Sequence, residues 1–70
     1  MYKYLVVIEK AKKNFSAYVP DLPGCVATGQ TIRQVEKNIY EAIQMHLKGL
    51  KEDHCPIPKC EAMSEYMVLG

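Results

Sequence analysis

Between Gly29 and Thr31 the spacing of apolar residues changes, and that change constrains the fold of this chain more than any other feature. Before it, apolar and polar positions alternate, which is the period of a half-buried strand. After it, Ile32, Val35, Ile39, Ala42, Ile43, His46 and Leu50 recur at steps of three and four. That is one face of an amphipathic helix. Thr31, with Gln34 three residues on, has the spacing of a capping box. The threonine oxygen takes an otherwise unpaired N–H of the first turn, and the glutamine reaches back. Pro56 and Pro58 cannot continue a helix. The spacing predicts a helix from about Thr31 to about Glu52, roughly six turns.

The residues before the change form three strand-like runs. In "YKYLVVIEK", Tyr2, Tyr4, Val6 and Ile8 share one face, while Leu5 and Val7 share the other. "AKKN" reads as a turn. "FSAYV" alternates again, with Phe15, Ala17 and Val19 on one face and Ser16 and Tyr18 on the other. "PDLPG" interrupts the pattern, because proline donates no backbone hydrogen bond. Here Pro20 ends the strand, Leu22 anchors the loop to the sheet, and Gly24 permits a conformation closed to other residues. Asp21 reads as a turn-former bonding nearby backbone. "CVATG" is a short third strand ending at Gly29. Strands joined this closely form an antiparallel meander. "SEYMVLG" reads as a short fourth strand, parallel to and beside the first. The expected fold is α+β, β-β-β-α-β, with one helix packed on one face of the sheet.

With 70 residues, the chain is a single domain, 1–70. Domains this small gain stability by oligomerising. Hydrophobic residues make up 49%, enough for a folded core. The net charge of +1, with interspersed signs, is not the footprint of a nucleic-acid binder. The N-terminal apolar run, Leu5 to Ile8, is too short for a signal peptide or a membrane span, so a cytoplasmic protein is expected. Three cysteines, an odd number, suit reduced thiols better than a disulfide framework.

The block "FSAYVPDLPGCVATGQT", a helix containing "NIYEAIQMHLKGLKED", and then "PIP" together resemble the HicB antitoxin family. The resemblance covers roughly Tyr4 to Pro58. It implies a reduced ribonuclease H-like fold of three antiparallel strands, a helix and a fourth strand. It also implies a partner: such antitoxins bind and cover HicA, a small toxin that cleaves mRNA with a histidine. Many members carry a further DNA-binding segment, whereas this chain reaches Gly70 about where the fourth strand should finish, so the resemblance does not extend to DNA binding. The family often has glycine where His54 stands, and histidine tolerates the left-handed backbone that a helix end uses there.

The chemistry-bearing residues do not assemble into an enzyme. A two-metal nuclease needs several clustered carboxylates. Here Glu9, Glu36, Glu41 and Glu65 are scattered, and Asp21 and Asp53 lie in loops. Cys55 and Cys60, with His46 and His54, lack the second close pair that a zinc site uses. His46 sits on the apolar helix face, which makes it a core or interface residue. No spacing suggests a catalytic nucleophile. Lys10, Lys12 and Lys13 mark a solvated turn. No catalytic residue, metal or cofactor is expected.

Surfaces remain. One helix covers one face of a sheet, so Leu5, Val7 and Tyr18 should lie on the bare face. Tyr40 and Leu47 flank the helix core stripe and widen its apolar arc to roughly 160°, against the roughly 100° a surface helix needs. Exposed apolar patches mark contacts. The expected contact set is Leu5, Val7, Tyr18, Asp21, Leu22, Tyr40 and Leu47. The expected function is that of an antitoxin occluding a HicA-like toxin, with self-association. The alternative is a stand-alone homo-oligomeric scaffold or ligand binder.

Overall fold

The computed structural model describes residues 1–70. Three strands precede one helix: β1 (Val7–Lys10), β2 (Phe15–Tyr18), β3 (Val26–Gly29) and α1 (Ile32–Glu52). The strands form one antiparallel sheet in the order β1-β2-β3. The Ala11 N–H donates to the Asn14 carbonyl at 2.8 Å and closes the first turn. In the "PDLPG" loop, Leu22 N–H bonds Val19 O and Cys25 N–H bonds Leu22 O. Gly24, at φ 83°, supplies the positive φ between them.

The register sorts the faces. Ile8, Ala17 and Ala27 align across the three strands on the helix side. The fully enclosed core comprises Ala17, Val19, Leu22, Cys25, Val35 and Ile39. Tyr4, Val6, Phe15, Ile43 and Leu47 pack around it. The helix lies chiefly over β3, then β2, and barely reaches β1. Gly29 explains that placement. A side chain there would put Cβ 2.6 Å from the Val35 backbone nitrogen, so the first helical turn rests directly on the third strand. Asn38 fastens the same corner by donating to the Thr28 carbonyl at 2.7 Å.

Both helix ends are satisfied. Thr31 Oγ1 accepts from Gln34 N–H at 3.0 Å. Gln34 reaches back to the N–H of Gln30, at 2.6 Å, one residue earlier than a capping box requires. At the other end, His54 N–H bonds Lys51 O and Cys55 N–H bonds Leu50 O, the paired bonds of a Schellman ending. His54 takes the left-handed position at φ 55°.

The fourth strand does not form. Residues after His54 are irregular, and "SEYMVLG" pairs with nothing in the sheet. The segment after the helix is held through side chains instead. The Tyr4 hydroxyl donates to the Pro58 carbonyl. Asp21 Oδ2 accepts from the N–H groups of Glu61 and Ala62 at 3.2 and 3.0 Å. Pro56 and Pro58 lack the donors that a ladder would use. Asp21 follows β2, so the segment has crossed the start of the first strand by Ala62 and has left the outer edge of β1 free. No helix is long and apolar enough to cross a membrane.

Candidate interaction surfaces

The bare face of the sheet carries one apolar row. Val7 is in register with Tyr18, and Tyr18 with Val26. Their alternation is opposite to that of Ile8, Ala17 and Ala27 on the helix side, and Val26 also borders a depression with Ala42, Met45 and His46 of α1. Leu5 extends the row beyond Val7 and is half-buried, as Val7 is. Tyr18 is 41% exposed and Val26 64%. The next outward row, Glu9, Ser16 and Thr28, is polar. The face therefore has an apolar half and a polar half, the arrangement of a bounded contact patch. Val26 was missed by sequence reasoning. Its signal was the alternation of "CVATG", which puts Val26 and Thr28 on the face opposite Ala27.

Tyr40 and Leu47 belong to a different surface. Because the helix sits off β1, a groove opens between them, lined by Val6, Ile8, Ile39, Tyr40, Ile43 and Leu47, with a volume of about 620 Å³. Tyr2 lies toward one end, with the Lys51 ammonium 5.2 Å from its ring centre. Glu36 lies toward the other. Tyr40 is exposed and Leu47 half-buried.

The two loop residues of the expected contact set are engaged within the chain. Leu22 is completely buried and serves as the centre of the core, so a partner could reach it only by opening the fold. Asp21 bonds backbone forty residues away and not its own turn. Its negative charge, after burial and the neighbouring Tyr2, helps hold the Tyr4 phenol above its ordinary pKa. Burial pushes the Cys25 thiol up as well. Cys25 is enclosed, whereas Cys55 and Cys60 are free and exposed. His46 is half-buried beside Cys25 and Met45. No three His, Cys, Asp or Glu side chains lie close enough to hold a metal ion.

Comparison with known proteins places the chain in a family. The sequence model described as "HicB_like antitoxin of bacterial toxin-antitoxin system" matches residues 4–68. An uncharacterised 14.9 kDa protein from the rep-hol intergenic region of Haemophilus phage HP1 is 36% identical over 64 residues, 91% of this chain and 48% of that protein. A UPF0150 protein of Synechocystis is 37% identical over 60 residues, covering 84% of this chain and 76% of the relative. A chain from the solved "HicA3 and HicB3 toxin-antitoxin complex" superposes with a TM-score of 0.68 at 34% identity, over 79% of this chain and 64% of that one. This chain thus spans about half the phage relative and under two thirds of the solved chain. With the match running through nearly its whole length, the chain belongs to the HicB-like antitoxin family.

Proposed function

We propose that this chain is the antitoxin of a toxin–antitoxin pair and neutralises a HicA-like mRNA-cleaving toxin by covering it. The family match and the likeness to a chain from a HicA3–HicB3 complex support the class of function. The observation that carries the mode of action is the registered row Val7, Tyr18 and Val26, with Leu5 beside it, on a face the helix leaves bare. An inhibitor of this kind needs shape and apolar area and no reacting group. A standard interface buries about 1,600 Å² in total, a large share of either small partner's surface. Burying one Val-sized side chain contributes about 1.5–3 kcal/mol, so the centre of such a row should dominate affinity.

The test is co-purification with the product of an adjacent short reading frame of HicA type. Val26→Lys, at an exposed position, should weaken capture of that protein by about thirtyfold or more, the equivalent of about 2 kcal/mol. The circular dichroism of the antitoxin should stay unchanged. Capture of the toxin with undiminished affinity by Val26→Lys and Tyr18→Ala would remove this face from the mechanism. Failure to recover any toxin would favour the second reading, a stand-alone homo-oligomeric protein, for which the open groove beside α1 speaks.

A further inference from the structure

The groove between β1 and α1 and the segment Tyr66–Leu69 are an apolar cavity and an apolar peptide in one molecule, each without a partner. Val68 is 98% exposed and Leu69 89%, and Tyr66 and Met67 are exposed beside them. The radius of gyration, 13.6 Å, exceeds the roughly 11 Å of a compact chain of this length. The longest dimension, 47 Å, is well over twice the shortest, 19 Å, as a projecting segment requires. A run of four apolar side chains held in water is costly, since each fully buried one would contribute favourably.

We propose that Tyr66–Leu69 of one copy occupies the β1–α1 groove of a second copy, giving a reciprocal strand-exchanged dimer. Two observations select a second copy over the chain's own groove. Asp21 grips Glu61 and Ala62 on the β2 side of the first strand. Ala62, Met63 and Ser64 then share a depression with Lys3, Tyr4 and Leu5; Lys3 and Tyr4 also border the groove, but the depression does not reach its Val6 and Ile8. The chain therefore runs past Leu5 as far as Ser64 without entering its own groove, and Tyr66–Leu69 stay exposed. The receiving site offers backbone as well as side chains, because the outer edge of β1 has no strand beside it. An extended segment pairs with such an edge and sets alternate side chains into adjacent pockets. Charge fits the same direction. Laid parallel to β1, the segment brings Glu65 to the Lys3 end of the groove and keeps it from Glu36 at the other. Reciprocal exchange buries two such tails and two grooves, which gives a chain of 70 residues the extra core that small domains gain by association.

The exchange is independent of toxin binding, which uses the opposite face, and its test contains no toxin. Sedimentation of the full chain over a wide concentration range should show a reversible dimer. Leu69→Asp in the tail and Tyr40→Asp at the exposed groove wall should each weaken it by at least about tenfold while leaving circular dichroism unchanged. Mixing Leu69→Asp with Tyr40→Lys, one carrying a fluorescent label, should yield a heterodimer tighter than either variant's homodimer, because one contact is intact and the other sets opposite charges together. A wild-type chain that stays monomeric throughout would overturn the proposal, whether its tail folds onto its own groove or stays in water. So would a dimer indifferent to both substitutions, or a mixture that gains nothing.

Discussion

Gly29 shows how one missing side chain decides the position of a helix. The Val35 backbone occupies the space where its Cβ would be, so Gly29→Ala forces the first helical turn off β3. Overpacking of this kind costs about 1–3 kcal/mol or more. A domain of this size has of order 4–10 kcal/mol in all. Urea denaturation should show the loss as a lower midpoint. Cys25 and Tyr4 act on stability through pH. Both hold their protons more tightly in the folded chain, Cys25 because burial disfavours the thiolate, Tyr4 because of burial and then the charges of Tyr2, Asp21 and Cys60. A raised folded pKa gives stability that is complete below the unfolded pKa and is lost as pH climbs through the folded one. Stability should therefore stay level on this account up to about pH 8.5 and fall above it. Ionised Tyr4 can no longer donate to Pro58, which adds to the loss. Denaturation midpoints measured from neutral to alkaline pH should decline; a curve rising there would contradict this account.

Among the elements, the segment after the helix depends on one carboxylate. Asp21→Ala removes both acceptor bonds to Glu61 and Ala62 and leaves Tyr4 to hold Pro58. Trypsin should then cut after the exposed Lys59 several times faster than in the parent chain, at nearly unchanged global stability. Limited proteolysis with mass detection reads this directly. The same segment marks where the sequence stopped being informative. The three strands and the helix were legible because each follows from a local pattern: alternation around Tyr18, the step change at Gly29, Thr31 capping Gln34; the first strand, however, begins at Val7 and not at Tyr2. "SEYMVLG" has strand-like composition, but nothing local states whether a neighbouring strand will meet it, and none does. Asp21 is the same case at a single residue. A turn sequence predicts bonds to its own backbone, and the carboxylate bonds residues forty positions away. Of the residues expected to make contacts, Leu5, Val7 and Tyr18 lie on one face and Tyr40 and Leu47 in a groove on the other, a division that depends on how far the helix sits from β1. That offset comes from Gly29 and Asn38, whose packing partners no periodicity reveals.

For the whole molecule, two apolar surfaces on opposite sides of so thin a body matter more than either does alone. The core is six residues, and the sheet is a single layer with one helix. A partner on the bare face and a second copy in the groove would each add the second covering that the fold lacks, and the two would adjoin only at Leu5, beside Ala62, Met63 and Ser64. In a copy whose groove holds no exchanged tail, the free margin of β1 has a colloidal consequence. Unsaturated N–H and C=O groups along Val7–Lys10 allow sheets to grow sideways from molecule to molecule. With an isoelectric point near 7.7, little net repulsion keeps copies apart at neutral pH. What local repulsion exists comes from Lys10, Lys12 and Lys13 beside that margin. Molar salt shortens the screening length to about 3 Å and silences them. Light scattering from concentrated solutions should accordingly rise with ionic strength at pH 7.7, and fall when proline replaces a residue of Val7–Lys10 whose amide points outward.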